Sequence, residues 1–211
     1  MTSNAKKFIQ CAAAVLIFFP VTATAVTNAQ SSHWASTWGC GLQLTEPKNV
    51  PPPPGLTGNT LRQIVHASIG EKQLRVRFSN LFGTNAVVMD SVHVALSGGA
   101  KATSAIDPAT DTELAFHGAT SAVIPPGEEI LSDPFNFDLP PLTNLAIAIY
   151  FGATSGNITG HPGSRTTSYI LTGNAAVLNP VALTNLQSAY DSGDHLHLSP
   201  AGNAPCLMRL I

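Results

Sequence analysis

The sequence predicts an all-β domain, most simply a jelly-roll-like β-sandwich, and three observations lead to this expectation. Short segments alternate apolar and polar residues with the period of two that a half-buried strand requires. Clusters of Gly, Pro, Asn and Ser separate these segments at close intervals. No helical period of any length occurs before residue 180, and no strand–helix–strand rhythm is present. A sandwich or barrel is therefore favoured over an α/β fold.

Two segments carry the clearest alternation. In Gln73–Asn80, three apolar residues share one face while arginine and serine share the other, and Asn144–Phe151 alternates large apolar residues with alanine. Because a one-residue slip of register would expose the whole set, six residues are expected inside the sandwich. They are Leu74, Val76, Phe78, Leu145, Ile147 and Ile149.

The remaining elements follow from the same pattern and from turn residues. Further strands are predicted at Leu61–Ile69, Ala86–Leu96, Glu113–Phe116 and Ser121–Ile124. From residue 174 the alternation is lost, which predicts a short irregular or helical C-terminal tail.

The first 29 residues have the features of an export signal. Lys6 and Lys7 precede the short apolar run Cys11–Phe19, and small residues then offer cleavage sites after Ala25 or Ala29. We therefore expect a signal peptide at 1–29, a β-sandwich domain at 30–173 and a distinct tail at 174–211. The mature chain would be secreted or periplasmic, with no membrane segment after cleavage.

Composition excludes one class of partner. Without Lys6 and Lys7, 8 of the 10 basic residues remain against 12 acidic ones, a net charge of about −4. No basic cluster remains, so nucleic-acid binding has no electrostatic support. Export would permit a Cys40–Cys206 disulfide, but two cysteines near opposite ends of a chain do not establish one.

The tail contains a pair of residues that suits acid–base chemistry. Asp194 and His197 stand three apart in a glycine-containing turn, where a carboxylate can orient an imidazole. Asp90 and His93 have the same spacing, but they lie in a predicted strand, where residues three apart point to opposite faces. The second pair is therefore interpreted as ordinary strand residues.

Such an imidazole normally activates a nucleophile, and the sequence offers none in the usual setting. It contains neither a Gly-x-Ser-x-Gly elbow nor Gly-Asp-Ser. Ser164, on a polar loop beside Gly163, is the nearest substitute, and a surface turn is its simpler interpretation.

Two binding hypotheses compete with this chemistry. His195 and His197 could be metal ligands, with Asp191 or Asp194 as a third, although nothing else in the chain has ligand spacing; we expect neither a metal nor a cofactor. Three aromatic residues could instead form a platform for a sugar, although packing at strand ends is their commoner role. They are Trp34, Trp38 and Tyr169.

Several segments between residues 33 and 173 resemble the amino-terminal region of secreted bacterial SGNH (GDSL-type) hydrolases. They include Trp34-Ala35-Ser36-Thr37-Trp38, Thr60-Leu61-Arg62-Gln63-Ile64-Val65-His66, Phe78-Ser79-Asn80-Leu81-Phe82-Gly83 and His161-Pro162-Gly163-Ser164-Arg165. The segment Asp191-Ser192-Gly193-Asp194-His195-Leu196-His197 is similar to the family's last catalytic block. By that resemblance Asp194 would orient the ring, and His197 would be the general base.

The resemblance also implies what this chain lacks. In the family, an α/β catalytic domain that opens with Gly-Asp-Ser follows the β-domain, and later Gly and Asn residues bind the oxyanion. None of these has a counterpart here. The first hypothesis is thus an internally truncated hydrolase relative, not catalytically competent alone. The second is a secreted module that binds a carbohydrate or protein, and the third is an active hydrolase that uses Ser164 or a metal.

Overall fold

The chain forms the expected all-β sandwich in a computed structural model that describes residues 34–99, 103–161, 167–177, 186–191 and 209–210. The strands are β1 (Gln43–Leu44), β2 (Asn59–Ala67), β3 (Glu71–Leu74), β4 (Val76–Ser79), β5 (Val87–Leu96), β6 (Thr112–Glu113), β7 (Ala122–Ile124), β8 (Glu129–Leu131), β9 (Phe135–Leu139), β10 (Thr143–Phe151), β11 (Thr159–Gly160), β12 (Thr167–Thr172), β13 (Leu186–Asp191) and β14 (Arg209–Leu210). Helical structure in these residues consists of two 3-10 turns, Pro47–Asn49 and Pro108–Thr110. No helix among them is long and apolar enough to cross a membrane.

The larger layer is a seven-stranded antiparallel sheet. Its strand order is β13-β12-β2-β10-β5-β6, and β7 also pairs with β5. The long central strands β2, β5 and β10 pair over most of their length, which fixes their register. Smaller sheets of order β14-β4-β8, β3-β9 and β1-β11 complete the fold.

The main core lies between the larger sheet and the strands β3, β4 and β9. All six residues predicted to lie inside are buried, each with at most 1% of its surface exposed: Leu74, Val76, Phe78, Leu145, Ile147 and Ile149. Burial of a side chain of this size contributes about 1.5–3 kcal/mol. The alternating pattern in the sequence was therefore a sound guide to the core.

A second, smaller core covers the opposite face of the large sheet. Here Ala146 of β10 and Ala95 of β5 meet Ile64, Tyr169 and Ile106, the last of which comes from the loop between β5 and β6. Ala146 and Ala148 are small enough to let covering loops approach the sheet closely, and both are buried. The large sheet is therefore covered on both faces at its centre.

Arg62 lies at the centre of this second face and is fully buried. Its Nη1 donates to the carbonyl of Ser104 at 2.5 Å, and its Nη2 donates to the carbonyls of Ala175 and Ala176 at 3.0 and 2.9 Å. Burial lowers the pKa of the guanidinium to about 10, a shift that the charge of Asp111 partly opposes. One side chain thereby ties two separate loops to the sheet.

Asn80 performs a similar role at the end of β4. Its Nδ2 donates to the carbonyls of Asn85, Ile124 and Pro125 at 2.8, 3.0 and 3.2 Å, so it binds both the loop before β5 and the end of β7. A Cβ at Gly83 would lie 1.8 Å from Asn80 Oδ1, which explains the glycine at that position. The Asn-Leu-Phe-Gly segment is thus a packed corner of the fold.

The structure differs from the predicted elements in three places. The segment Gln73–Asn80 is two strands, because the chain changes partner at Arg75, from β9 to β8. The strands β8 and β9 were not predicted; β8 has three residues and little alternation, whereas the alternating Phe135, Phe137 and Leu139 of β9 were overlooked. The tail was expected to be irregular or helical; its described residues 174–177 form no strand, but 186–191 and 209–210 are the strands β13 and β14, which pair with β12 and β4.

Replacing Arg62 with methionine should lower the free energy of unfolding by roughly 3–5 kcal/mol, because three buried carbonyls would lose their charged donor. Arg77→Met is the matched control, since Arg77 pairs with Glu129 at 3.2 Å on the surface and such pairs contribute about 1 kcal/mol or less. Urea unfolding followed by circular dichroism measures both. Equal decreases in the free energy of unfolding in the two variants would contradict the role of Arg62 in holding the two loops to the sheet.

Candidate functional site

The residues predicted to carry acid–base chemistry in the tail lie outside the described residues. This applies to Asp194, His195 and His197, and also to Ser164. Asp191 is the last residue of β13, where its backbone pairs with Thr167. The juxtaposition of Asp194 and His197 therefore stays a prediction.

The pair with the same spacing, Asp90 and His93, lies in β5 as expected, but the expectation of opposite faces was wrong. A β-bulge interrupts the pairing: Tyr150 lies opposite Ser91, whereas the next residue, Phe151, lies opposite Met89. The extra residue shifts the alternation by one, so Met89 and Val92 both enter the main core. Asp90 and His93 consequently both lie off the core face.

The partner of His93 is a different carboxylate, Asp111. His93 Nδ1 lies 3.0 Å from Asp111 Oδ2, and His93 Nε2 lies 3.8 Å from Glu113 Oε1. Asp111 immediately precedes β6, and Glu113 lies in β6. Because β6 pairs with β5, Glu113 lies opposite His93. The turn before β6 begins at Asp107, whose Oδ1 accepts from the amide of Ala109 at 3.1 Å.

This cluster continues along one row of the sheet. Tyr169, Arg62, Ala148, His93 and Glu113 are successive cross-strand neighbours. Ala148 separates Arg62 from His93 without filling the space above it, and the carboxylate of Asp111 acts electrostatically on Arg62. The row is therefore a charged network on an otherwise apolar face.

The geometry of His93 limits the chemistry it can perform. A general base needs one ring nitrogen held by an acceptor and the other directed at the hydroxyl to be deprotonated. Asp111 supplies the first requirement, but the group nearest Nε2 in the cluster is the carboxylate of Glu113. Through its contact with Asp111, His93 is suited to joining β5 to the residues at the start of β6.

The three aromatic residues considered for a sugar platform do not share one surface environment. Tyr169 belongs to the second core and is 8% exposed. Trp38 packs partly buried against the main core. Trp34 is 38% exposed, and the guanidinium carbon of Arg75 lies 5.6 Å from the centre of its ring. Trp34 alone is thus placed to meet a ligand from solvent.

His161 is an unusual histidine that the sequence did not single out. It follows β11, is fully buried, and meets the ring of Trp38 edge-on at 5.5 Å between centroids. Neither Nδ1 nor Nε2 has a hydrogen-bond partner. Burial lowers the pKa of His161 to about 4, against a smaller opposing contribution from its own backbone.

The described residues contain neither the candidate histidine ligands of a metal site nor both cysteines of the candidate disulfide. No three His, Cys, Asp or Glu side chains there are arranged to hold a metal ion. Cys40 is half-buried, and burial raises the pKa of its thiol. A Cys40–Cys206 bridge stays a prediction because Cys206 lies outside the described residues.

Comparison with known proteins adds no assignment. A scan against models of protein families found no match, and a search of curated proteins found no relative at a significant level. The resemblance to SGNH hydrolases therefore rests on the sequence segments quoted above.

A double-mutant cycle can identify the true partner of His93. Combining His93→Ala with Asp111→Ala should give a coupling free energy of about 0.5–1.5 kcal/mol in urea unfolding, as expected for a half-buried charged hydrogen bond. The matched cycle with Asp90→Ala should give less than about 0.3 kcal/mol, because Asp90 is exposed. Similar coupling in both cycles would contradict the assignment.

Proposed function

We propose that this chain is an exported, SGNH-related β-sandwich module that does not hydrolyse esters alone. The observation that carries the proposal is the environment of His93. Asp111 lies 3.0 Å from Nδ1 of His93, but the group that this cluster places beside Nε2 is the carboxylate of Glu113, at 3.8 Å, rather than the serine hydroxyl that a hydrolase would hold there. The absence of Gly-Asp-Ser and Gly-x-Ser-x-Gly from the sequence supports the same conclusion.

The roles of the residues in the resembling segments are consistent with this proposal. Residues 34–177 supply the two cores and the clamps at Arg62 and Asn80, so the resembling segments include residues with structural roles. By resemblance, the tail retains the family's Asp194 and His197 without the nucleophile or the oxyanion donors. Removing one such donor already costs on the order of 10²–10³ in turnover.

The purified chain should show only background hydrolysis of p-nitrophenyl acetate. Because no serine is activated, His197→Ala and Ser164→Ala should leave that rate unchanged within error. Release of p-nitrophenol at neutral pH measures all three proteins. Clear turnover in the parent that either substitution abolishes would make Ser164 and His197 a catalytic pair and overturn the proposal.

A second candidate function, carbohydrate binding, is favoured by one observation. Trp34 is an exposed indole held beneath a guanidinium, and Arg75 is itself anchored because its Nε donates to the carbonyl of Ser132 at 3.0 Å. A fixed aromatic ring beside hydrogen-bond donors is the arrangement that sugar-binding surfaces use. An ester-bearing polysaccharide would fit both this surface and the resemblance to esterases.

Affinity electrophoresis in gels containing acetylated xylan or soluble starch tests this candidate. If Trp34 forms the platform, Trp34→Ala should weaken retardation by about tenfold in Kd, which corresponds to about 1.4 kcal/mol of lost stacking. Leu142→Ala is the control, because Leu142 is the most exposed large apolar side chain of the described residues, at 72%. The absence of retardation in the parent, or equal weakening in both variants, would exclude Trp34 as a sugar platform.

A further inference from the structure

The segment that carries the exposed ring of Trp34 is fixed to the fold three residues later, at Thr37. Its Oγ1 donates to the carbonyl of Ile69 at 2.8 Å and accepts from the amide of Ile69 at 3.0 Å. Its carbonyl accepts from the amide and the hydroxyl of Ser68 at 3.1 and 2.8 Å. A ligand that packs on a ring held in this way orders little of the protein when it binds.

Arg75 is fixed beside this ring with part of its guanidinium unused. Its Nε donates to the carbonyl of Ser132 at 3.0 Å, and its guanidinium carbon lies 5.6 Å from the centre of the Trp34 ring. Neither Nη1 nor Nη2 has a hydrogen-bond acceptor among the described residues. The side chain is half-buried, so its orientation is set before a ligand arrives. The N–H groups of both Nη atoms are therefore left for a ligand.

Four charged side chains on the neighbouring strands form two pairs. Arg77 Nη1 donates to Glu129 Oε2 at 3.2 Å, and Lys72 Nζ donates to Asp138 Oδ1 at 2.5 Å. Each pair is neutral overall, because the cation has a carboxylate of its own. Arg75 differs from both cations, since no carboxylate among the described residues accepts a hydrogen bond from it.

Two further carboxylates lie in this region, and neither occupies the guanidinium of Arg75. Asp133 accepts from the amides of Gly118 and His117 at 2.7 and 3.1 Å. The hydrogen bond from Gly118 lowers the pKa of Asp133 most, and the charge of Arg75 contributes least. Glu71 lies four residues before Arg75, roughly 13 Å along an extended strand, beyond the screening length of about 10 Å at ~0.1 M salt. An anion from solvent can therefore reach the fork.

Two exposed amide side chains extend the polar surface beside Arg75. Because Leu74 and Val76 both lie in the main core, Gln73 and Arg75 both lie on the side of the chain away from it. Gln73 is paired across strands with Asn136, and both are exposed. Amide groups both donate to and accept from hydroxyls, so this pair suits the hydroxyls of a sugar.

We propose that Trp34 and Arg75 form a binding site for a hexuronate residue of an acidic polysaccharide. The pyranose packs against the exposed part of the indole, and the two carboxylate oxygens accept from Nη1 and Nη2 of Arg75. The planar fork of a guanidinium matches a carboxylate with two parallel hydrogen bonds, whereas a sugar hydroxyl offers one uncharged oxygen. This inference rests on the carbohydrate binding proposed for Trp34 and specifies the class of sugar.

The net charge of the protein requires that this recognition be local. Without the expected signal peptide the chain carries a net charge of about −4, which repels a polyanion at a distance. At ~0.1 M salt, charges more than about 10 Å apart are largely screened, so binding measured there reports the immediate surroundings of Arg75. Dextran sulfate, a polyanion without carboxylates, is the control for charge alone.

Affinity electrophoresis of the full chain compares two polymers that differ at one group. Polygalacturonate carries the carboxylate, and its carboxyl-reduced form is the same polymer with a hydroxymethyl group in that place. At ~0.1 M salt, the Kd for polygalacturonate should be lower by at least about tenfold. This comparison uses the unaltered protein, so it does not depend on whether a variant folds.

Four variants then assign the contact. Arg75→Gln removes the charge, and Arg75→Lys keeps the charge but loses the fork; both should weaken binding of polygalacturonate by at least about fivefold. Trp34→Ala should weaken binding of either polymer by about tenfold. Arg77→Gln is the matched control and should stay within about twofold of the parent, because Arg77 is already paired. Circular dichroism of each variant checks that it is folded.

The outcomes separate this inference from the proposal on which it rests. Equal affinity for polygalacturonate and its reduced form, or binding of starch or acetylated xylan alone, overturns the hexuronate site and leaves carbohydrate binding in place. The absence of binding to every polymer overturns both. Equal weakening in Arg75→Gln and Arg77→Gln, full affinity in Arg75→Lys, or equal binding of dextran sulfate also overturns the hexuronate site, because charge alone would then account for the binding.

Discussion

The covered face of the large sheet depends on one buried cation. Arg62 donates hydrogen bonds to the carbonyls of Ser104, Ala175 and Ala176. Backbone carbonyls near strand ends would otherwise lack donors once the loops close over the sheet. The guanidinium supplies several donors in one plane, which lysine could not do. This arrangement keeps two loops on the sheet and protects the second core.

Other buried polar residues of the sandwich act in the same way as Arg62. Arg62 and Asn80 are both buried polar residues that donate to backbone carbonyls of distant loops. Thr37 connects the amino-terminal segment to the turn after β2 in a similar way. Buried hydrogen bonds of this kind constrain residue type strongly, since an unpartnered carbonyl costs about 1–3 kcal/mol. The hydrogen bonds at these positions hold loops against the sandwich. They therefore indicate a structural role and not a catalytic one.

The sequence was informative where structure is local and uninformative where it depends on pairing. Alternation in β10 identified Leu145, Ile147 and Ile149 as core residues because each strand faces a single dominant core. The bulge at Asp90 could not be foreseen, because it is defined by its position against Tyr150 on another strand. The partner of His93 was missed for the same reason, since Asp111 reaches it only through the pairing of β5 with β6. No spacing rule connects those two residues.

His93 and His161 show why a histidine count says little about catalysis. His93 has a carboxylate near each ring nitrogen, whereas His161 has no hydrogen-bond partner at either. Burial lowers the pKa of the second ring to about 4, so His161 is neutral near pH 7. Nucleophilic catalysis requires one nitrogen oriented by an acid and the other directed at a hydroxyl. Asp111 orients Nδ1 of His93, but the group placed beside its Nε2 is the carboxylate of Glu113, at 3.8 Å, and no acid among the described residues orients His161. In the described sandwich, His93 therefore joins β5 to the residues at the start of β6, and His161 packs edge-on against Trp38.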